Sequence, residues 1–328
     1  MNRLALSRRR LLVTAAFSPV MTPALAQLSP QGAWPIKPIT AIVSAAAGGV
    51  VDIEGRLILP PMSEILGQPI VVDNRPGGGG HIGVGLAARA APDGYTLLLS
   101  AGSVLLSGVY HHLTYDTFRD LAPVGMVGTG GFILVVPAAS PFTKLQDLIA
   151  YAKLNPGKLN FGSTSVGNST HIGSEMLAHL TGTKMVHVPY KGSVAALTDL
   201  IGGRIDFMLD SKASSLQHIR AGSLRALGVT SPARVGDLPS VPAIGEVVPG
   251  YQIEGWTGLF VPKAVPRPVV ERLSSALKAT LADPVIARKL SDAVGEAKYL
   301  DPAELLAYMQ ADHARLTAVV KAANISVD

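Results

Sequence analysis

The sequence predicts an α/β fold with two lobes and a cleft between them. Short apolar, β-branched runs alternate with helix-like stretches at the spacing of strand–helix–strand units, which favours parallel sheets covered by helices. A strand, a loop of small residues and the start of a helix occur in that order near residue 39 and again near residue 159. The chain has 328 residues, 48% of them hydrophobic and 16% charged, so it has room for two domains with a sizeable core.

The first strand–loop–helix unit begins with Ile39–Val43, an apolar run typical of a buried strand. Residues 44–49 are small and include a glycine pair, which predicts a loop. A helix is predicted from Val51, because apolar residues recur on one face and acidic residues occupy the first turn. Pro60 and Pro61 are expected to end or kink that helix after about two turns.

The later elements follow from the same patterns of hydrophobicity and from the turn residues between them. We expect further strands at residues 69–73, 95–100, 124–137, 159–162, 185–190, 204–210, 224–230 and 252–261. We expect further helices at residues 81–91, 168–180, 195–201, 216–221, 268–282 and 302–323. The strands at 124–137 and 224–230 would carry the chain between lobes, which assigns residues 27–125 with 231–328 to the first lobe and 126–230 to the second.

Residues 1–26 have the pattern of an export signal. These residues include four arginines and no acidic residue. The arginines precede an apolar segment, which ends in the small-x-small cleavage site Ala24-Leu25-Ala26. The run Ser7-Arg8-Arg9-Arg10-Leu11-Leu12 resembles a twin-arginine signal, but a Sec signal fits it as well. Because Pro19 and Pro23 interrupt an apolar segment that is short for a bilayer, we expect cleavage after Ala26 and release into the bacterial periplasm.

The charge distribution argues against a nucleic-acid-binding protein. The formal charge is +5, and subtracting the four signal arginines leaves +1 for the remaining chain, whose basic residues are scattered. The sequence contains no cysteine, so neither a disulfide nor thiol chemistry is possible.

Two loops have the composition of anion-binding sites. Ala46, Ala47, Gly48 and Gly49 precede a helix whose first N–H groups lack intrahelical acceptors, and their small side chains allow a ligand to approach closely. The same arrangement recurs at the loop before residue 168, and in open α/β sheets two such loops can face each other across a cleft. Taken by itself, the first loop is better explained as an ordinary strand-to-helix turn.

The glycine run at residues 77–80 raises the possibility of a dinucleotide site. Gly78, Gly80 and Gly83 match the spacing G-x-G-x-x-G between a strand and a helix. However, no acidic residue ends the following strand, and no Gly-Lys-Ser/Thr follows to make a P-loop. We therefore expect no nucleotide and no cofactor.

A serine hydrolase is the main alternative. Residues 163–167 resemble a nucleophile elbow, with Ser163 where the first glycine belongs and Ser165 at the nucleophile position. His171, His187 and Asp210 are available as partners, but nothing in the sequence groups them.

A metal site at the start of the second helix is a weaker alternative. His171 and Glu175 stand one turn apart, but no third metal ligand is apparent. Asn168, Ser169 and Thr170 are better interpreted as helix-capping residues that also donate hydrogen bonds to a ligand.

Many ordered motifs make the sequence resemble the Bug-type extracytoplasmic solute receptors of tripartite tricarboxylate transporters. They are Trp34-Pro35-Ile36-Lys37-Pro38, Gly48-Gly49-Val50-Val51-Asp52 with Arg56, Leu66-Gly67-Gln68-Pro69-Ile70-Val71-Val72-Asp73-Asn74-Arg75-Pro76-Gly77, Ala91-Pro92-Asp93-Gly94-Tyr95-Thr96-Leu97, His187-Val188-Pro189-Tyr190-Lys191-Gly192, Gly202-Gly203-Arg204-Ile205-Asp206, Leu224-Arg225-Ala226-Leu227-Gly228-Val229-Thr230, and Pro249-Gly250-Tyr251 with Trp256. The resemblance covers essentially the whole chain after the signal.

The resemblance implies a type II periplasmic-binding-protein fold, in which two α/β lobes close by a hinge on a small carboxylate. Its partners would be that carboxylate and the membrane subunits of the transporter, with a monomeric receptor and no enzymatic activity. In such receptors the N–H groups of two opposing loops bind the carboxylate, which corresponds here to residues 44–49 and 164–170. A receptor that signals through a membrane partner would have the same fold.

The residues that we expect to bind the ligand come from these loops and from neighbouring strand ends. They are Ser44, Ala46, Ala47, Gly48, Gly49, Asp52, Ser103, Thr164, Ser165, Asn168, Ser169, Thr170, Tyr190, Asp210 and Lys212. Asp52 has a structural alternative at its helix N-terminus. Lys212 stands where the family has an uncharged residue, so it would either pair with a second carboxylate of the ligand or point to solvent.

Overall fold

A mixed ten-stranded sheet forms the centre of the fold in the computed structural model, which describes residues 34–108 and 113–322. The export signal predicted for residues 1–26 lies outside the described residues. The strands are β1 (Ile39–Val43), β2 (Ile70–Asn74), β3 (Thr96–Ala101), β4 (Leu121–Pro137), β5 (Asn160–Ser163), β6 (Val186–Pro189), β7 (Phe207–Ser211), β8 (Leu224–Val229), β9 (Glu254–Pro262) and β10 (Glu296–Ala297).

Helices connect and cover these strands. They are α1 (Val50–Leu66), α2 (His81–Ala88), α3 (Thr117–Asp120), α4 (Leu145–Leu154), α5 (Ser169–Thr181), α6 (Ser193–Ile201), α7 (Lys212–Arg220), α8 (Ile244–Val247), α9 (Arg267–Ala282), α10 (Pro284–Ala293) and α11 (Pro302–Ala322). Short 3-10 segments occupy Gly78–Gly80 and Gly102–Gly108. Within the described ranges, no helix combines the length and the apolar character that a membrane crossing would require.

The long strand β4 joins two groups of strands. Its residues 121–131 pair with β9, which pairs with β3, and β3 continues through β1 to β2. Its residues 132–137 pair with β7 and β8, and β7 continues through β5 to β6. We call these the first and the second strand group. The β1–β2, β1–β3, β5–β6 and β5–β7 pairs are parallel, as the sequence predicts, whereas β4 and β9 pair antiparallel, so the sheet is mixed.

Helix α11 contributes to the hydrophobic cores of both strand groups. Leu305 and Met309 pack with Leu98 and Phe260 of the first group. About two turns further along the helix, Leu316 and Val320 pack in the core built on β4, β5 and β7. The C-terminal helix therefore links the two cores, in addition to the continuous backbone of β4.

Pro60 and Pro61 do not end the first helix, because α1 continues through both to Leu66. Proline removes an amide donor, so it leaves a carbonyl one turn earlier without its helical partner. Those carbonyls belong to Arg56, which is exposed, and Leu57, which is half-buried. Burial of the apolar face of α1 on the other side stabilises the continuous helix.

Other differences lie mainly at element ends. Helix α2 ends at Ala88, three residues before the predicted end, and α7 begins at Lys212, four residues before the predicted start. Helix α4 was not predicted. Its buried face consists of Leu145, Leu148 and Ala152, and the Asp147 carboxylate accepts hydrogen bonds from the backbone amides of residues 143 and 144.

Candidate ligand-binding site

A cavity of about 620 Å³ is lined by residues from both strand groups. Such a volume suits a small organic molecule. The first group contributes the loop after β1, the start of α1, the glycine run after β2 and the end of β3. The second group contributes the loop after β5, the start of α5, the segment between β6 and α6, and the end of β7. Parallel strands thus present their carboxyl ends to the cavity, where ligands of open α/β sheets bind.

Most of the predicted site residues line this cavity. They are Ser44, Ala46, Gly49, Ser103, Thr164, Ser165, Asn168, Ser169, Thr170, Tyr190 and Asp210. Four others do not line it: Ala47, Gly48, Asp52 and Lys212.

The loop after β1, residues 44–49, turns the backbone sharply into α1. Ser44 is buried, and its hydroxyl donates to the Ser100 hydroxyl on β3 over 2.9 Å. Gly48 has a φ of 79°, which glycine adopts without strain. The amides of Gly48 and Gly49 are already used, because they donate to Asp52 Oδ2 and to the Ala46 carbonyl. The amides of Val50 and Val51, which start α1 beside the cavity, are the ones that a helix leaves without an internal acceptor.

Asp52 stabilises this loop from outside the cavity. It is 2% exposed, and its carboxylate accepts hydrogen bonds from the Gly48 amide (2.8 Å), Arg56 Nε (2.9 Å) and Asn74 Nδ2 (2.9 Å). Asn74 Nδ2 also donates to the Ala45 carbonyl at 3.1 Å. Burial by itself would raise the pKa of Asp52, but the hydrogen bonds from Arg56, Gly48 and Asn74 hold it below its ordinary value. Asp52 thus positions the loop and does not contact the cavity.

The glycine run after β2 forms another wall of the cavity. Gly77, Gly78, Gly79 and Gly80 all have positive φ, between 54° and 116°. A Cβ on Gly80 would lie 3.1 Å from the Ser44 carbonyl oxygen, so only glycine lets this run pack against the neighbouring loop. The sequence offered a signal for this wall, because a glycine run after β2 must lie at the same sheet edge as the loop after its parallel neighbour β1.

The loop after β5, residues 163–168, is held together by side chains that line the cavity themselves. Asn168 caps α5, and its Oδ1 accepts hydrogen bonds from the His171 amide (3.0 Å) and the Thr170 hydroxyl (2.8 Å). Its Nδ2 donates to the Thr164 hydroxyl. The Thr164 amide in turn donates to Thr170 Oγ1 at 3.1 Å. Side-chain amide and hydroxyl groups that line the cavity are therefore held in fixed positions here.

Two stacked histidines lie under this second loop. The rings of His171 and His187 are 3.7 Å apart and nearly parallel. His171 Nδ1 accepts from the Gly167 amide at 3.0 Å. His187 Nε2 bonds the Ser163 hydroxyl at 2.6 Å, and Ser163 also donates to the Ser165 carbonyl. Burial and, secondarily, the neighbouring His171 lower the pKa of His187 to about 4, so it is neutral at pH 7.

The geometry does not assemble a hydrolase among these residues. Ser163 has a histidine partner but is 0% exposed, so no substrate can reach its hydroxyl. The Ser165 hydroxyl bonds the Val166 carbonyl, and Asp210 bonds serines rather than a histidine. His171 and Glu175 lie 3.8 Å apart, but no three potential metal ligands converge anywhere in residues 34–108 and 113–322.

Asp210 lies at the end of β7 as a fully buried carboxyl group. It accepts hydrogen bonds from the hydroxyls of Ser193 (2.6 Å), Ser214 (2.5 Å) and Ser215 (2.6 Å). Burial raises the pKa of Asp210, while the three hydroxyls act in the opposite direction. Since Ser193 starts α6 and the other two serines lie in α7, the carboxyl group ties both helices to the strand.

Lys212 differs from the expectation that it faces a ligand. Its ammonium group donates to the Ser291 carbonyl at 2.7 Å and forms an ion pair with Asp237. Ser291 lies in α10, so the lysine spans from α7 to another helix outside the cavity wall. Tyr190 does line the cavity, and its hydroxyl donates to Asp199 at 3.0 Å.

Sequence patterns missed two charged residues of the cavity wall, Lys191, which is exposed, and Glu54, which is buried. Glu54 is 5% exposed, and Thr257 on β9 is hydrogen-bonded to its carboxyl group. Burial raises the pKa of Glu54 to about 7. The signal was its position, because Glu54 stands three residues after Val51 and four before Ile58, on the buried face of α1.

Comparison with known proteins identifies the family. The sequence profile of the tripartite tricarboxylate transporter family receptor, TctC, matches residues 55–325. A UPF0065 protein in the tcbD-tcbE intergenic region of Pseudomonas sp. (strain P51) is 43% identical over 288 residues, which cover 87% of this chain and 85% of that protein.

Two solved structures are similar over their whole length. R. palustris Rpa4515 with adipate has a TM-score of 0.84 and 32% identity, covering 90% of this chain and 99% of that one. The periplasmic binding protein BugD has a TM-score of 0.82 and 31% identity, covering 89% and 99%. The two-lobe α/β fold implied by the sequence is thereby confirmed. The matching family is one of receptors, and BugD is a periplasmic binding protein, so these relatives are solute-binding proteins and not enzymes. This chain belongs to the TctC family of periplasmic solute-binding receptors.

Proposed function

We propose that this protein captures a small organic carboxylate in the cavity between its two strand groups and delivers it to the membrane subunits of a tripartite tricarboxylate transporter. One observation carries the proposal: the N-termini of α1 and α5 both open onto the cavity, with the Val50 and Val51 amides on one side and Asn168 with Ser169 on the other. Helix N-termini stabilise negative charge through their free amides and their dipole. The adipate bound to a similar receptor supports this ligand class.

The proposed mechanism is closure about a hinge. A ligand that contacts both loops gains contacts in the closed state that it lacks in the open state, so binding shifts the population toward closure. The proposed hinge includes residues 131–132 of β4, where the chain passes from the first strand group to the second. Export to the periplasm with cleavage after Ala26, and a monomeric receptor, complete the proposal.

A thermal-shift screen of the mature protein, residues 27–328, tests the ligand class. The screen uses mono-, di- and tricarboxylates, each with the neutral amide of the same skeleton as a control. A ligand at one hundred times its Kd adds about 2.7 kcal/mol to the free energy of unfolding, which is easily measured. Stabilisation by neutral amides but by no carboxylate would refute the proposal.

Uptake in the source bacterium tests delivery. Deletion of the gene should abolish uptake of the carboxylate found in the screen, and the wild-type gene should restore it. Unchanged uptake in the deletion strain would refute the proposal that this receptor delivers the carboxylate to a transporter.

A further inference from the structure

Lys212 connects the two strand groups beside the cavity. It begins α7, which packs against β7 and β8 of the second group. Its ammonium group donates to the Ser291 carbonyl at 2.7 Å, and Ser291 lies in α10, which packs against α1 and α9 of the first group. Ser211 and Val294, which are close to these two residues in the chain, both line the cavity. The bond therefore bridges the two strand groups next to the space between them.

The second strand group holds this lysine in position. Asp237 forms an ion pair with Lys212, and its other carboxylate oxygen lies 3.5 Å from Arg220 Nη2 at the end of α7. Val235 and Leu238, on either side of Asp237, pack on the core built on β7 and β8, so Asp237 belongs to the same group as the lysine. The Lys212 side chain is only 19% exposed. One strand group thus fixes a cation that donates to the other.

The acceptor in α10 is a helix carbonyl without an internal donor. Helix α10 ends at Ala293, and the last carbonyls of a helix lack helical partners. The Gly295 amide, which stands at the partner position for the Ser291 carbonyl, donates to the Leu290 carbonyl instead. A helix C-terminus also carries partial negative charge, which favours a cation there. At the start of its own helix a lysine is disfavoured by the dipole, so its partners in α10 and at Asp237 account for its position.

We infer that Lys212 is a latch, which joins α7 to α10 in the closed receptor and releases α10 when the receptor opens. The inference rests on the hinge closure proposed above and adds a residue that sets its balance. Because Lys212 does not line the cavity, the latch stabilises the closed state without contacting a ligand. Its loss should weaken binding of every ligand by the same factor, mainly through faster dissociation from a receptor that reopens more readily.

Distances between two spin labels test the latch directly. The sequence contains no cysteine, so Gln217→Cys on α7 and Lys289→Cys on α10, both at exposed positions, give two specific labelling sites near the latch. Double electron–electron resonance is measured without ligand and with adipate, malate or citrate. Lys212→Met keeps the aliphatic stem and removes the charge. In the condition where wild type is most closed, we expect this variant to reduce the ratio of short to long distances about tenfold.

Arg220→Met is the matched control. Arg220 pairs with the same Asp237, but the pair lies within one strand group, and its side chain is 67% exposed. The variant therefore removes an ion pair of α7 without removing the bridge, and it should give the distances of wild type. Adding Asp237→Asn to Lys212→Met should cause no further opening, because Asp237 acts through the lysine. Equal opening in Arg220→Met and Lys212→Met would overturn the latch.

Titration calorimetry separates the latch from the proposed function. Lys212→Met should bind each carboxylate found in the thermal-shift screen about tenfold more weakly, with factors that agree within about threefold among ligands. Unchanged distances in Lys212→Met, or affinity losses that depend on the ligand, would overturn the latch and leave carboxylate capture standing. If no carboxylate bound to wild type, the proposed function would be refuted, and the distances without ligand would still decide whether Lys212 joins the two strand groups.

Discussion

The two loops that face each other across the cavity are built in opposite ways. Residues 44–49 present small side chains and backbone, and the network that holds them, from Asp52 to Asn74 and Arg56, lies outside the cavity. Residues 163–168 are held by the cavity-lining side chains of Thr164, Asn168 and Thr170. The first loop is thus held by side chains outside the cavity, and the second loop by side chains that line it.

This difference separates two tasks within one site. A backbone surface held from outside the cavity offers amides to any carboxylate, so its changes affect all ligands alike. A surface of hydroxyl and amide side chains responds to the shape and donors of a particular ligand, so its changes alter selectivity. The buried acids also differ, because the Asp210 carboxyl group accepts three serine hydroxyls whereas Glu54 Oε2 has no hydrogen-bond partner.

The largest expected effect is the loss of binding in Ala46→Phe. Ala46 lines the cavity and Ala47 does not, although both are small, exposed and adjacent. A phenyl ring at Ala46 would occupy the space next to the α1 N-terminus, and we expect every carboxylate to bind at least 1000-fold more weakly, roughly 4 kcal/mol. Ala47→Phe is the matched control and should keep wild-type affinity. Equal losses in the two variants, measured by titration calorimetry, would mean that the ligand does not lie at this loop.

Glu54→Gln should change how stability depends on pH. The folded pKa of about 7 lies above the ordinary value of 4.5, so between these pH values the folded protein keeps a proton that the unfolded chain has lost. The free energy of unfolding contributed by Glu54 is therefore full below pH 4.5 and is lost as pH rises to 7, by up to about 3 kcal/mol.

Urea unfolding at several pH values checks this prediction. The difference between wild type and Glu54→Gln should change steadily from pH 4.5 to 7, because the glutamine cannot titrate. His81 and His187, with folded pKa values of about 4, contribute the opposite sign but cancel in the difference between the two proteins. A constant difference across this range would show that Glu54 is not desolvated in the ligand-free protein.

Asp52→Asn tests whether the Asp52 carboxylate, which lies outside the cavity, positions the first loop. The variant loses the ion pair with Arg56 and weakens the acceptor for the Gly48 amide, so we expect about 2 kcal/mol lower stability at pH 7 and weaker binding of all carboxylates alike. Because the pKa of Asp52 is lowered, its contribution is present above pH 3.8 and is lost as pH falls further, so the two proteins should converge in acid.

Asp73→Asn is the matched control for that variant. The Asp73–Arg75 pair has the same 2.9 Å separation as Asp52–Arg56, but the Asp73 side chain is 35% exposed where that of Asp52 is 2%. We expect less than about 0.5 kcal/mol from this surface pair. A similar loss in both variants would mean that burial of Asp52 does not matter to the loop.

The parts of the site that follow strand ends were predictable from the sequence. Small residues after β1 and polar residues after β5 mark loops at the carboxyl ends of parallel strands. Asp210 at the end of β7 was expected there only from the resemblance to the receptor family. Such patterns are local, and the periodicity of the strands places them at one edge of the sheet. The alternation of strands and helices likewise predicted the α/β fold.

Other parts depend on contacts between distant segments. Glu54 has the appearance of an ordinary acid near a helix start, and only the packing of α1 near β9 buries it beside Thr257. Trp256 enters the cavity wall because β9 inserts antiparallel between β3 and β4, which no local pattern indicates. The continuity of α1 through Pro60 and Pro61 also depends on tertiary burial, which outweighs a local preference.

The smallest expected effect is on the second loop, in Asn168→Ala and Asn168→Asp. Alanine removes the acceptor for the His171 amide, which should cost about 1 kcal/mol in urea unfolding. Aspartate keeps that acceptor and stability but loses the amide donor to Thr164 and adds a negative charge beside the cavity. We therefore expect Asn168→Asp to fold like wild type and to bind carboxylates more weakly than Asn168→Ala does. If instead Asn168→Asp bound them as tightly as wild type, the α5 N-terminus would not face the carboxylate, and the two loops would not share one ligand.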